Sequence, residues 1–170
     1  QWDEIRTMHV DDAEVEAKLL AVLPHNDDQR LIDIGTGTGR ILELFGPRVG
    51  QGVGVDFSRE MLALARSRLD TLDIRGCQGR QGDMYQLPAE DAGFDIATLH
   101  LVLHFADDPA AVITEATRVL APGGVLAIVD FAPHHVEELR EKHAHRRLGF
   151  GDDECAELFA QNGLRTMGIH

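Results

Sequence analysis

The sequence predicts an α/β fold in which a doubly wound, mainly parallel sheet carries helices on both faces. Strand and helix patterns alternate along the chain, and a glycine-rich turn follows the first buried strand. In the stretch LIDIGTGTGR, Leu31–Ile34 has the apolar run of that strand, and Gly35, Gly37 and Gly39 belong to the turn. The 170 residues suffice for one domain with a substantial core.

Apolar spacing, helix caps and breaking residues predict the other elements. Further strands are expected at Gln51–Phe57, at Phe94–Val102, at Val125–Phe131, at a weak sheet edge over Cys77–Gly82, and near Leu164. Helices are expected over Gly39–Phe45, Arg59–Leu69, Asp107–Leu120, Val136–Arg147 and Asp152–Asn162. Ser58 is the expected N-cap of the second of these, and Pro109 lies in the first turn of the third. The stretch APGG, Ala121–Gly124, is expected to form the turn before the fifth strand.

Composition excludes several classes of protein. The net charge of −13, from 29 acidic and 16 basic residues, repels phosphate backbones and argues against direct nucleic-acid binding by this chain. We expect no membrane-spanning helix, because no apolar run approaches roughly 18–20 residues. We also expect that no signal peptide opens the chain. Cys77 and Cys155 form no CxxC pair, so a reducing cytoplasm is expected instead of a disulfide framework or a structural zinc site.

Ligands of such sheets bind beyond the carboxyl ends of the strands, where the strand order reverses. This rule brings four stretches together: Gly35–Gly39, Asp56-Phe57, Asp83-Met84 and His100. Glycines let a ligand approach the backbone, a carboxylate accepts hydrogen bonds from vicinal ribose hydroxyls, and an apolar side chain covers a purine ring. A second carboxylate accepts a hydrogen bond from an exocyclic amine. The combination predicts a nucleoside-binding site.

The blocks LIDIGTGTGR, GVGVDFSREMLALAR, QGDMYQLP, FDIATLHLVLHFADDP and RVLAPGG run in this order from Leu31 to about Phe131. They resemble the class I S-adenosylmethionine-dependent methyltransferases. The resemblance implies that the glycine turn holds the methionine half of the cofactor, whose ammonium and sulfonium groups are positive. Asp33 suits such a ligand and would repel a pyrophosphate. Arg40 stands where a dinucleotide site has its third glycine, which further argues against a nicotinamide oxidoreductase.

The resemblance implies a role for each candidate residue. The amino-acid portion of S-adenosylmethionine, or of its product S-adenosylhomocysteine, would be lined by Asp33, Gly35, Thr36, Gly37 and Gly39. The nucleoside would contact Asp56 at the ribose, Phe57 and Met61 at the adenine face, and Asp83 and Met84 at the adenine amine and ring edge. His100 would lie beside the sulfonium at the mouth of the substrate pocket.

Simpler structural interpretations of these residues remain open. Asp83 is also typical of a turn before a loop, and His100 of a buried histidine bonded to the backbone. His104 is typical of packing in a helical turn, although His100 or His104 would be placed to accept a proton from an acceptor. No catalytic residue is assigned, because the sulfonium is already electrophilic and the enzyme mainly aligns donor and acceptor.

The acceptor is expected to be a small molecule. The fourth strand ends in TLHL and lacks the NPPY-like tetrapeptide that recognises amide or base nitrogens. The histidines His134, His135, His143 and His145 do not predict a metal site, since no zinc-type spacing occurs. Two of them, His143 and His145, would point to different faces of a helix. A helical lid with Arg146 and Arg147 available to an anionic substrate is favoured.

Two further segments, WDEIRTMHV and DFAPHHVEELREKHAHRRLGF, are similar to methyltransferase-like domains fused behind an ArsR-type winged-helix domain in bacteria. This resemblance implies an alternative function as a sensor of S-adenosylmethionine or S-adenosylhomocysteine in a transcriptional regulator. A homodimer would then form through a region absent from this chain.

The domain organisation is predicted as a single unit over 1–170, with 1–23 as an N-terminal helical lid and 134–162 as a helical region on the substrate side. Trp2, Ile5 and Met8 lie on one helical face that would close over the cofactor. Further sequence is expected on both sides of the chain, and the sheet is expected to be truncated at its C-terminal strands.

Overall fold

The computed structural model describes residues 12–130 and 149–169, which contain five strands in one parallel sheet of order β3-β2-β1-β4-β5. The strands are β1 (Arg30–Ile34), β2 (Gln51–Asp56), β3 (Cys77–Gln81), β4 (Phe94–His100) and β5 (Leu120–Val129). The helices are α1 (Asp12–Val22), α2 (Arg40–Phe45), α3 (Arg59–Thr71), α4 (Pro109–Val119) and α5 (Asp152–Gln161). Short 3₁₀ turns occupy Gly46–Arg48 and Leu103–Phe105.

The strand order reverses at β1, which pairs in parallel with β2 on one side and with β4 on the other. The chain runs outward from β1 to β3 and then returns to β4 and β5, which is the doubly wound topology that the sequence predicts. β3 lies at the edge, as expected from its glycine-interrupted pattern. The crevice between the ends of β1 and β4 is therefore the place where a ligand is expected.

The core consists of two apolar clusters, one on each face of the sheet. Successive residues of β1 alternate between them, since Ile32 belongs to one cluster and Leu31 to the other. The Ile32 cluster includes residues of α4 and α5, and the Leu31 cluster includes residues of α1, α2 and α3. Helices therefore cover both faces, and the Rossmann-like α/β fold is confirmed.

Two helices begin at side-chain caps. Ser58 Oγ accepts a hydrogen bond from the Met61 N–H at 3.2 Å, which confirms Ser58 as the N-cap of α3. At α4, Asp108 Oδ1 accepts from the Ala111 N–H at 3.1 Å, and Pro109 occupies the first turn. None of the described helices combines the length and apolar character that crossing a lipid bilayer requires.

Three element predictions differ from the structure. β4 ends at His100 instead of Val102, because Leu101 adopts a left-handed φ of 57° that cannot continue a strand. β5 begins at Leu120 instead of Val125: Leu120 pairs with Phe94, and the APGG residues bulge out of the ladder before Val125 pairs with Ile96.

The strand predicted near Leu164 is wrong, because no strand occurs in the described residues after α5. A strand requires a neighbour for its backbone hydrogen bonds, and 165–169 are exposed. The predicted helix Asp152–Asn162 is confirmed as α5, whereas the helix predicted over Val136–Arg147 lies outside the described residues.

Candidate cofactor site

A cavity of about 1080 Å³ opens at the carboxyl ends of β1, β2 and β4. The candidate residues that line it are Asp33, Gly35, Thr36, Gly37, Asp56, Phe57, Met61, Asp83, Met84 and His100. Gly39 is not part of the lining. Its φ is 86°, and a Cβ there would lie 3.1 Å from Ala65 Cβ, so Gly39 allows α2 to approach α3 closely.

The glycine turn is tied to β2 and leaves its outer side open. The N–H groups of Gly35 and Thr36 both donate to the carbonyl of Val55, at 2.8 and 2.9 Å. Gly37 has a φ of 56°, and a Cβ built on it would meet no atom within 4 Å. A ligand can therefore lie directly against the backbone at Gly37, which a side chain would obstruct.

The Asp56 carboxylate is held between this turn and the start of α3. Its Oδ2 accepts from the Gly37 N–H and its Oδ1 from the Ser58 N–H, both at 2.9 Å. Each carboxylate oxygen can accept a further hydrogen bond, so the group retains capacity for two hydroxyls. Next to it, the Phe57 side chain is 78% exposed although it is aromatic. An exposed ring on a cavity wall is suited to covering a flat ligand.

Asp33 places a carboxylate deep in the same cavity. It is 1% exposed, and its Oδ1 accepts a hydrogen bond from Thr98 Oγ1 at 2.7 Å. Burial raises the pKa of Asp33 to about 6, and the nearby Asp56 carboxylate acts in the same direction. A cationic ligand group at this position would restore the ionised form, so the Asp33 carboxylate is suited to accept hydrogen bonds from an ammonium-bearing amino-acid end.

Asp83 forms the turn that the sequence allows, and its contact with a ligand stays a prediction. Its Oδ1 accepts from the Tyr85 N–H at 2.9 Å, as in a turn, and the residue also lines the cavity. Tyr85 holds this loop in place, since its hydroxyl oxygen accepts from the N–H groups of Asp107 and Asp108, at 3.0 and 3.3 Å. The loop that contains Asp83 is thereby fixed to the turn that precedes α4.

Another part of the cavity wall is formed by the last residue of β4 and the residues that follow it. The lining there consists of His100, Leu101, Val102 and Phe105. A Cβ on Gly35 would lie 2.5 Å from Val102 Cγ2, so the glycine turn reaches this part of the wall only because Gly35 lacks a side chain. His104 is fully buried behind the wall, with its Nδ1 2.7 Å from Asp130 Oδ1.

The structure also brings charged residues to the cavity that sequence reasoning did not assign to it. Arg40 Nε and Nη2 lie 2.6 and 2.7 Å from the Glu16 oxygens, and both residues line the cavity. Glu43 bridges Arg40 and Arg68, at 2.8 and 3.0 Å. The spacing of Arg40 and Glu43 on one helix is visible in the sequence, but Glu16 is 24 residues away and gives no such signal.

Several expectations fall outside the described residues. These are the apolar face of Trp2, Ile5 and Met8 and the segment with His134, His135, His143, His145, Arg146 and Arg147. Between 12 and 130 and from 149 to 169, no group of three or more His, Cys, Asp or Glu side chains is arranged to hold a metal ion.

Comparison with known proteins decides the family. Residues 32–128, more than half of the chain, match the family model of the methyltransferase domain. The chain belongs to this methyltransferase family. This class of enzyme depends on S-adenosylmethionine, as the sequence resemblance implies, and membership excludes the nicotinamide oxidoreductase alternative.

Relatives of the methyltransferase domain include the methyltransferase YcgJ of Bacillus subtilis, 32% identical over 152 residues that cover 84% of this chain and 59% of YcgJ. The crystal structure of YcgJ superposes with a TM-score of 0.81, covering 88% of this chain and 68% of that one at 28% identity. A demethylmenaquinone methyltransferase of Thermus thermophilus is 35% identical over 109 residues, 62% of this chain and 48% of the relative.

The chain therefore spans about three fifths or less of the length of the first curated relatives that it matches. The family match concerns the methyltransferase domain and does not reach the ArsR-type fusion. The regulator function and the homodimer stay predictions, as do the domain limits.

Proposed function

We propose that this methyltransferase domain binds S-adenosylmethionine in the cavity and transfers its methyl group to a small-molecule acceptor. One observation carries the proposal: the open glycine turn, the Asp56 carboxylate and the exposed Phe57 ring lie around a single cavity. The three features suit, respectively, the amino-acid portion, the ribose hydroxyls and the adenine ring of the cofactor.

The cofactor would lie along the carboxyl edge of the sheet. Asp56, fixed by two backbone N–H groups, accepts hydrogen bonds from the ribose hydroxyls. Phe57 and Met61 cover the adenine, and Asp83 accepts from its amine. At the opposite end, the Asp33 carboxylate faces the ammonium group.

The acceptor would occupy the end of the cavity beyond the methyl group. The cavity of about 1080 Å³ reaches from Phe57 to Val102 and Phe105, and the acceptor would lie beside these last two residues. The relative from Thermus thermophilus is named for demethylmenaquinone, a small-molecule acceptor.

The bound cofactor supplies a methyl group on a positively charged sulfur. The chain's own contribution is to align the acceptor within about 3–3.5 Å of that carbon and to exclude water. Leu101, Val102 and Phe105 form the apolar wall that excludes water. His100 is placed at the same end to accept a proton from an acceptor that must lose one.

Calorimetry with S-adenosylhomocysteine tests the cofactor assignment. Asp56→Ala should weaken binding by about 1.5–3 kcal/mol, the range for hydrogen bonds to a charged group. Asp56→Asn, which keeps one acceptor oxygen, should lose less, and the control Asp70→Ala on exposed α3 surface should lose nothing. Unchanged affinity in Asp56→Ala, or tighter binding of NAD than of S-adenosylhomocysteine, would contradict the proposal.

The acceptor class is tested with S-adenosylmethionine carrying an isotope in its methyl group. Incubated with a cell extract, the protein should move the label into molecules that pass a small-pore filter. Label retained in protein or nucleic acid would contradict a small-molecule acceptor while leaving methyl transfer intact.

A further inference from the structure

Arg40 lies on the cavity wall with its guanidinium already held by a carboxylate. Its Nε and Nη2 donate to the two oxygens of Glu16 at 2.6 and 2.7 Å, a bidentate arrangement. Its Nη1 lies 2.8 Å from Glu43 Oε1 on the same helix. The pair with Glu16 joins α2 to α1, since Glu16 lies on α1.

This parallel pairing is the geometry in which a guanidinium recognises any carboxylate, including one on a ligand. The two side chains are 35% and 17% exposed, so the pair is partly shielded from water without being sealed away. Both residues line the cavity. A ligand in the cavity can therefore reach the guanidinium.

The proposed cofactor carries one carboxylate, at its amino-acid end. That end is assigned to the glycine turn, and the turn leads within the chain directly into Arg40. Among the described residues that line the cavity, the arginines are Arg40 and Arg68. Arg68 already pairs with Glu43 at 3.0 Å and is the more exposed of the two arginines.

We propose that the Arg40 guanidinium binds the carboxylate of the cofactor and that Glu16 occupies the same position in the ligand-free protein. The inference rests on the proposed function. On binding, the ligand carboxylate takes over Nε and Nη2, while Glu43 stays on Nη1 and keeps the guanidinium oriented. The exchange releases α1 from α2 at Glu16, whereas Leu19 and Leu23 remain anchored in the core. Cofactor binding is thereby coupled to the N-terminal half of α1.

The test uses two ligands that differ only in the carboxylate: S-adenosylhomocysteine and its decarboxylated analogue, which keeps the amine. The readout is the ratio of their affinities, measured by calorimetry on each variant. The unaltered protein should prefer S-adenosylhomocysteine. Arg40→Gln should remove the preference, with S-adenosylhomocysteine losing roughly ten- to hundredfold in affinity, as expected for charge-assisted hydrogen bonds.

The Glu16→Gln variant tests whether Glu16 competes with the ligand carboxylate for Arg40 or only holds Arg40 in position. Because Gln competes more weakly for a guanidinium, the ratio should rise several-fold above that of the unaltered protein. A ratio that falls or stays unchanged would show that Glu16 does not compete, and an unchanged ratio in Arg40→Gln would show that Arg40 does not bind the carboxylate. Either result overturns the inference.

Controls separate these outcomes from damage to the fold. Arg75→Gln removes an exposed ion pair with Asp73 and should leave both affinities unchanged. Since each ratio is measured on one protein sample, partial destabilisation affects both ligands alike. If Arg40→Gln does not fold, Arg40→Lys keeps the charge without the bidentate geometry and should also lower the ratio. If neither ligand binds the unaltered protein, the proposed function fails as well, which a failure at Arg40 alone does not imply.

Discussion

Asp33 is expected to bind the cationic end of the proposed ligand, and its burial destabilises the ligand-free fold. Burial raises its pKa from 3.8 to about 6, and the hydrogen bond from Thr98 does not offset that burial. The folded state holds the Asp33 proton more tightly than the unfolded chain does, so ionisation of Asp33 lowers the stability of the fold. This loss of unfolding free energy is absent below about pH 4, where Asp33 is protonated in both states. It grows between about pH 4 and 6 and is complete above about pH 6.

Asp33→Asn should therefore stabilise the ligand-free protein at pH 8 and weaken its binding of S-adenosylhomocysteine. The substitution removes the charge and keeps an oxygen for Thr98, so the gain in unfolding free energy should be about 1–3 kcal/mol at pH 8 and shrink towards pH 4. Denaturant unfolding at pH 4, 6 and 8 measures it.

Asp95 supplies the matched control with the opposite sign. The Arg30 guanidinium, in contact through a hydrogen bond of 3.1 Å, lowers the pKa of Asp95. Asp95→Asn should accordingly destabilise the protein at pH 8, with the difference again shrinking at low pH. If Asp33→Asn destabilised the protein at pH 8, as Asp95→Asn is expected to do, the account of Asp33 would be wrong.

Among the elements, α3 begins at the cavity, which Met61 lines, and the first turn of this helix depends on one cap. Ser58→Ala removes the oxygen that accepts from the Met61 N–H and should cost about 1 kcal/mol in unfolding free energy. The Ser58 N–H that holds Asp56 belongs to the backbone and survives, so affinity for S-adenosylhomocysteine should change little. Chemical denaturation and calorimetry on the same sample measure both.

Ser67→Ala is the control on the same helix. Ser67 is exposed in the interior of α3, where alanine has the higher helix propensity, so this variant should be equally stable or slightly more stable. Equal losses in Ser58→Ala and Ser67→Ala would contradict the capping role. The expected contrast would show that position within the helix, and not the loss of a hydroxyl, decides the effect.

For the whole molecule, a ligand at the carboxyl edge touches the ends of β1, β2 and β4, which are paired across the sheet. S-adenosylhomocysteine at a hundred times its dissociation constant should therefore add about 2.7 kcal/mol to the free energy of global unfolding. Thermal unfolding with increasing ligand measures the gain. The Asp56→Ala variant at the same ligand concentration should gain less, and an equal gain would place the ligand elsewhere.

The sequence predicts most of the scaffold because its signals are local. Buried strands show as apolar runs, the cap of α3 as a serine before an amphipathic helix, and the edge strand as a glycine-interrupted pattern. The candidate site residues can also be predicted from the sequence. Strand ends can be located along the chain, and the parallel topology brings the residues at these ends to one edge of the sheet. Gly39 is the exception, because its close neighbour Ala65 lies on another helix.

By itself, the sequence determined the α/β class, the order of the five strands along the chain, and most of the candidate residues that line the cavity. Only the tertiary structure decided where β4 ends and β5 begins, because Leu101 and the bulge after Leu120 depend on strand pairing. It alone also paired Glu16 with Arg40 and His104 with Asp130. Such contacts join residues far apart in the chain, and no local periodicity records which distant partner the packing of helices and strands brings within hydrogen-bond distance.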